Sequence, residues 1–295
     1  MKQILGRWPV LVALLLVACD QTRVAGGVDD HENAVARIQV VDSLGEPVPA
    51  SAVVVHASDW LPGDPADSSG ESPDYVHTTT DSTGYVTVHR LRPGRYSVVA
   101  GWGNIAGRTF VDAIDTVSLV VGIYPTGGIR GKLVGAPPGT WVAVRGLEGV
   151  TVIDSVGDYV VPFVPIGTAD VVAGLDRRSL EMHEVPILDR KVSRVADQVF
   201  RMESPRSIRP VIQLSTEPLP PVFLSPQGTY TSFLKVQILA PILGNSLEVS
   251  VQGGQWTAMS GMVGLGGSAC LQARSIQSSN VRSDPSQACY SIQAQ

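Results

Sequence analysis

Residues 78–101 occur twice in the chain, and this repetition constrains the fold more than any other feature. Moved forward by 73 residues without a gap, the stretch falls on residues 151–174. Asp81, Ser82, Gly84, Val88, Gly94, Val98, Val99, Ala100 and Gly101 meet Asp154, Ser155, Gly157, Val161, Gly167, Val171, Val172, Ala173 and Gly174. Both copies read turn, strand, turn, strand. Asp-Ser-x-Gly supplies the first tight turn and the later glycine the second, while the segments between them alternate or run apolar, as half-buried strands do. Two copies imply two β-modules in series.

Composition agrees with that reading. The 295 residues suffice for two or three domains, each able to bury a core, and a hydrophobic content of 44% excludes wholesale disorder. The 30 Gly and 21 Pro, with few long helical patterns, point to many short strands and turns. The net charge is −5, and it falls to −7 once residues 1–18, which hold Lys2 and Arg7 and no acid, are removed. A chain this acidic, without a basic stripe, lacks the electrostatic footprint of nucleic-acid binding, so no nucleic-acid partner is expected.

Lys2 and Arg7 precede an apolar run, residues 10–17, far shorter than the roughly 20 residues a membrane span needs. Leu16-Val17-Ala18-Cys19 follows. This stretch resembles a bacterial lipoprotein signal, which implies cleavage between Ala18 and Cys19 and acylation of Cys19. The resemblance makes residues 1–18 a signal peptide and puts the protein in the bacterial cell envelope, on a membrane, facing periplasm or surface. Several acyl chains, at about 0.8 kcal/mol per buried methylene, form a firm anchor. Polar residues 19–33 read as the lipidated cysteine and its tether.

The first module is expected over residues 34–122. Its VVDSLGEPVPASAVVV, followed by TTTDSTGYVTVHRLRPGRYSVVA, resembles the carboxypeptidase regulatory-like domain, a transthyretin-like β-sandwich that is mostly non-catalytic. A second related sandwich is expected over 123–202, with Pro162 and Pro165 on an edge strand or turn. Residues 203–220, which hold four prolines with Pro221 a fifth just beyond, read as a semi-rigid linker. Residues 221–295 open FLSPQGTY and close ACYSI, which resembles the immunoglobulin-like module at the end of chitobiase and β-hexosaminidase enzymes. The expected fold is therefore all-β: tandem small sandwiches, with the first two as a stalk and the last projecting farthest.

Of three cysteines, Cys19 is taken by lipid, leaving Cys270 and Cys289 on the last two expected strands. Export puts them in an oxidising compartment, so a disulfide is expected. The acidic loop of residues 58–74 holds Trp60, Asp64, Asp67, Glu71 and Asp74. It reads either as a ligand loop, Trp60 stacking a sugar or the acids meeting calcium, or as a solvated loop whose Trp caps the core edge. Its acids lack regular Asp-x-Asp-x-Asp-Gly spacing, and no metal or other cofactor is expected. His31 sits in the tether. His56, His77 and His89 fall on strands of one module, where alternation sets such residues on a solvated face. His183 has a base's chemistry, yet no Gly-x-Ser-x-Gly motif supplies a nucleophile. Small sandwiches also offer no deep cleft. The expectation is a non-enzymatic stalk, adhesion or binding protein whose partners are the membrane and a polysaccharide or envelope protein. The alternative is an enzyme or accessory of glycan turnover.

Overall fold

Asp42, Asp81 and Asp154 each open the same four-residue turn. In each, one carboxylate oxygen accepts from the backbone N–H groups two and four residues on: Leu44 and Glu46 at 2.8 and 3.0 Å, Thr83 and Tyr85 at 2.8 and 3.0 Å, Val156 and Asp158 at 2.9 and 2.8 Å. The fourth residue is a glycine with φ of +84°, +75° or +90° (Gly45, Gly84, Gly157), where a side chain is strained. The computed structural model describes residues 34–62, 75–175, 178–201 and 206–293.

The first module comprises β1 (Ala34–Val41), β2 (Ala52–Ala57), β3 (Tyr75–Thr79), β4 (Tyr85–Leu91), β5 (Gly94–Trp102), β6 (Ile105–Ala113), β7 (Val117–Gly122) and β8 (Tyr124–Pro125). They form two sheets, β4-β1-β7 and β3-β2-β5-β6-β8. Alternate residues Ala34, Ala36, Ile38 and Val40 of β1 turn inward against Val53, Val55, Val98 and Ala100 of the other sheet.

The second module repeats this plan. Its strands are β9 (Gly127–Val134), β10 (Trp141–Val144), β11 (Val150–Val152), β12 (Asp158–Val164), β13 (Gly167–Leu175), β14 (Arg178–Ile187), β15 (Val192–Val195), β16 (Gln198–Val199), β17 (Arg206–Ile208) and β18 (Ile212–Ser215). The sheets run β12-β9-β15-β18, with β16 also on β9, and β11-β10-β13-β14-β17. In both modules the first strand pairs antiparallel with the fourth and parallel with the seventh. Pro162 lies on edge strand β12, where Val161 and Val164 flank a register shift and Phe163 takes a φ of +55°.

The third module contains β19 (Val222–Phe223), β20 (Gly228–Tyr230), β21 (Leu234–Leu239), β22 (Ser246–Val251), β23 (Thr257–Met259), β24 (Met262–Leu265), β25 (Ala269–Ile276) and β26 (Ser286–Ile292). Its sheets are β19-β21-β24 and β20-β26-β25-β22-β23. The protein is all-β throughout its described residues.

Three expectations change. The first module runs on to β8, because Ile123 is buried in its core and Tyr124–Pro125 pairs back onto β6. Residues 206–220 of the proline-rich stretch are not a linker: β17 adds parallel to β14 and β18 antiparallel to β15, with Pro210, Pro218 and Pro220 outside the strands where no ladder donor is needed. Nor does the third module project away. Leu219 is fully buried with Val192 and Ile242, and Val222 and Leu224 share a groove with Val99 and Leu147. Asn104 and Thr126 donate to the carbonyls of Ala240 and Pro241, at 3.5 and 3.4 Å. The three sandwiches pack into one unit.

Candidate functional site

The outer face of the β3-β2-β5-β6-β8 sheet meets the second module. Val99 of β5 packs into the second module's core, and Ser97, fully buried, donates to the Gly146 carbonyl at 3.2 Å. The Gly146 N–H donates to the Trp60 carbonyl at 3.2 Å. Trp60 itself is half-buried, its ring 4.8 Å from His56 and 5.9 Å from Tyr75. Tyr75 donates to Glu148, and burial followed by that carboxylate pushes its phenol up to about 12. Trp60 therefore closes a junction and is not an open stacking surface for a sugar. Asp64, Asp67, Glu71 and Asp74 lie outside the described residues, as do His31, Ala18 and Cys19.

His56 corrects a second expectation. It is fully buried at this junction, not solvated, because β2 is covered on its outer face by the neighbouring module. Its Nδ1 lies 3.1 Å from the Ala57 carbonyl and its Nε2 has no partner. Burial lowers its pKa below 6.5. His77 is exposed on β3 and His89 is exposed on β4 of the opposite sheet, so the three do not converge. Among the described residues no group of His, Cys, Asp or Glu is arranged to hold a metal ion.

Beside this junction lies a cleft of about 350 Å³ between the modules. Arg95, Arg108, Phe110 and Ser58 line it from the first module, and Arg145, Thr168, Asp170 and Glu184 from the second. The guanidinium carbons of Arg95 and Arg108 lie over the Phe110 ring, 5.3 and 5.2 Å from its centroid. Arg108 donates to the carbonyls of Arg145 (3.1 Å) and Thr168 (2.6 Å). Burial pulls its pKa below the ordinary guanidinium value, with Asp170 opposing that shift. Arg145 is spoken for: it bonds the Asp59 carbonyl at 3.0 Å and Glu181 at 2.5 Å. Glu184 is held by Arg209 at 2.7 Å.

Next to the cleft, β13 and β14 carry a bulge between Ala169 and Val171, with Glu184 at a φ of +58°. The bulge brings His183 Nδ1 to 3.2 Å from Asp170, while Nε2 lies 2.6 Å from the Ser207 hydroxyl and 3.5 Å from Glu181. A serine, histidine and aspartate are thus in line across three strands, although no sequence motif marks Ser207. Neither His183 nor Ser207 lines the cleft. Arg95, Arg108, Phe110 and Asp170 also escaped the sequence reading. Their signal was that the repeat diverges at its outward positions.

Cys270 and Cys289 form a disulfide across directly paired residues of β25 and β26, with Cα atoms 4.0 Å apart. Nearby, Glu248 accepts from Arg274 and Arg282, and Arg274 lies 4.1 Å over Trp256.

No family model matches the chain, and no curated protein does. Among solved structures, 3-chlorocatechol 1,2-dioxygenase from Rhodococcus opacus aligns at 11% identity over 32% of this chain and 60% of its own, with a TM-score of 0.24. The streptococcal ancillary pilin aligns at 15% identity over 62% of this chain and 63% of its own (TM-score 0.23). The minor pilin GBS52 of Streptococcus agalactiae aligns at 15% over 58% and 99% (TM-score 0.26). The chain spans less than two thirds of the dioxygenase and of the ancillary pilin. Likeness at this level assigns the chain no shared arrangement or activity.

Proposed function

We propose that the protein is a lipid-anchored envelope protein, acylated at Cys19, whose sandwiches act together as a non-catalytic body that binds polysaccharide or protein. The carrying observation is the bonded junction between the first two modules, in which Ser97, Gly146, Trp60, Arg108 and Arg145 exchange hydrogen bonds. Modules joined by buried bonds hold one geometry, which suits presentation of a binding surface at a fixed place above a membrane. The resemblance of the first module to carboxypeptidase regulatory-like domains and of the third to the chitobiase-end module is in keeping with accessory roles. Cys19→Ser tests the anchor: membrane fractionation should find the variant in the soluble fraction, and unchanged membrane association refutes the reading.

A second reading, an enzyme or accessory of glycan turnover, is favoured by the line of Asp170, His183 and Ser207. It requires that the chain hydrolyse acetyl esters on a glycan and that Ser207→Ala abolish this. Turnover equal to buffer in the unaltered protein removes it.

A further inference from the structure

Arg95 and Arg108 pose a problem that the fold leaves unsolved. Both line the cleft, and among the described residues neither has a carboxylate partner. Arg108 is partly withdrawn from water, and its bonds go to two backbone carbonyls, so its charge is met only at longer range by Asp170 and by no bonded carboxylate. The other charged groups on the wall have bonded partners: Arg145 pairs with Glu181 and Glu184 with Arg209, while Asp170 contacts His183. Among the described residues, the Arg95–Arg108 side of the cleft thus carries positive charge with no bonded carboxylate.

We propose that this cleft binds a uronic-acid unit of an acidic polysaccharide, its carboxylate on Arg95 and Arg108 and its hydroxyls toward Asp170, Thr168 and Ser58. The proposal rests on the reading of the chain as a binding body and gives its ligand a chemical class. A guanidinium pair selects a planar carboxylate over a neutral sugar, since the latter leaves the charges unpaired. Phosphate fits less well, because its larger negative charge meets a wall that includes Asp170 and Glu184. A uronate brings donors as well, and carboxylates accept from hydroxyls. An amino acid's ammonium would compete with His183 and Arg209, which already hold those acids. Phe110, 44% exposed, carries both guanidiniums over its ring and adds apolar surface to the cleft beside them. A volume of about 350 Å³ is at the small end of ligand sites and suits one or two sugar units.

The test is isothermal titration of the detergent-solubilised full chain with trimers of galacturonate, mannuronate and glucuronate, with a neutral galactose trimer, glycine and inorganic phosphate as controls. At least one uronate trimer should bind and the neutral trimer should not. Arg108→Ala removes two junction bonds, so Arg95→Ala and Phe110→Ala carry the argument. Each should weaken binding about tenfold or more, and exposed Lys235→Ala should leave it unchanged. No heat from any uronate, equal heat from the neutral trimer, tighter binding of phosphate or glycine, or indifference to Arg95→Ala overturns the proposal. If titration fails while Cys19→Ser still frees the chain from membranes, the ligand assignment falls and the anchor stands.

Discussion

Gly45, Gly84 and Gly157 occupy the same place in three copies of one turn, so alanine at each separates backbone strain from crowding. All three adopt left-handed φ, which costs an alanine about 1–2 kcal/mol. The spaces around them differ. An added Cβ meets nothing within 4 Å at Gly45. At Gly84 it meets Pro47 Cβ at 2.8 Å and the Val48 nitrogen at 3.0 Å, and at Gly157 it comes within 2.4 Å of the Leu133 carbonyl oxygen. That oxygen belongs to β9 and has no flexible side chain to yield, so overpacking adds about 1–3 kcal/mol there. The expected losses are about 1–2 kcal/mol for Gly45→Ala, about 2–4 for Gly84→Ala and at least as much for Gly157→Ala. Thermal unfolding followed by circular dichroism reads them, each kcal/mol lowering Tm by about 2–4 °C in a unit of this size. Equal shifts at all three positions, or the largest shift at Gly45, would refute the assignment of crowding to the two buried turns.

Other outcomes follow from single contacts. Reducing the Cys270–Cys289 bond should destabilise the protein by about 3 kcal/mol through the loop it closes, seen as a lower urea midpoint for the transition that involves the third module. Leu219→Ala should cost about 2–4 kcal/mol, since the side chain is fully buried between the second and third modules; a change below 1 kcal/mol in urea unfolding would mean that the junction collapses around it. Burial holds His56 neutral, with Glu148 drawing a proton toward it and Arg108 repelling one. The unfolded chain therefore binds that proton first. Stability from this site is complete above about pH 6.5 and falls as pH drops below it, and His56→Phe should flatten the slope of Tm between pH 7 and 5. A slope unchanged in the variant would place the titration elsewhere.

The repeat made the fold legible because it lies in the residues that set the backbone. Asp81 and Asp154 close their turns on the same backbone N–H groups, and Val98 and Val171 fill the same place in their cores. Asp42 opens a third such turn, also readable as Asp-Ser-x-Gly. The disulfide was legible by elimination and strand position. The junctions were not. His56 looks solvated by strand alternation, because alternation separates the two faces of a sheet and says nothing of a second module covering one of them. The prolines of 203–220 suggest a linker by composition, yet β17 and β18 are short edge additions with Pro210 between them. Ser207 lies on such an addition, and only pairing with β14 sets it beside His183.

Duplication also explains how a cleft with opposed charge came to lie between two like modules. Position by position, Arg95 corresponds to Thr168, Ser97 to Asp170, Arg108 to Glu181 and Phe110 to His183. These are outward positions on β5 and β6 of the first copy and β13 and β14 of the second. The inward residues between them stay apolar in both, since each copy must bury its own core. Outward residues escape that demand, and here one copy has become basic and the other acidic. Complementary charge favours docking of the copies, and Asp170 acts on Arg108 at longer range, but the bonded contacts lie elsewhere: Glu181 meets Arg145 and Asp170 meets His183, while Arg95 and Arg108 line the cleft with no bonded carboxylate among the described residues. Residual positive charge at a half-buried place is costly to the folded protein, and a ligand that brings the missing carboxylate is the simplest reason for it to be there.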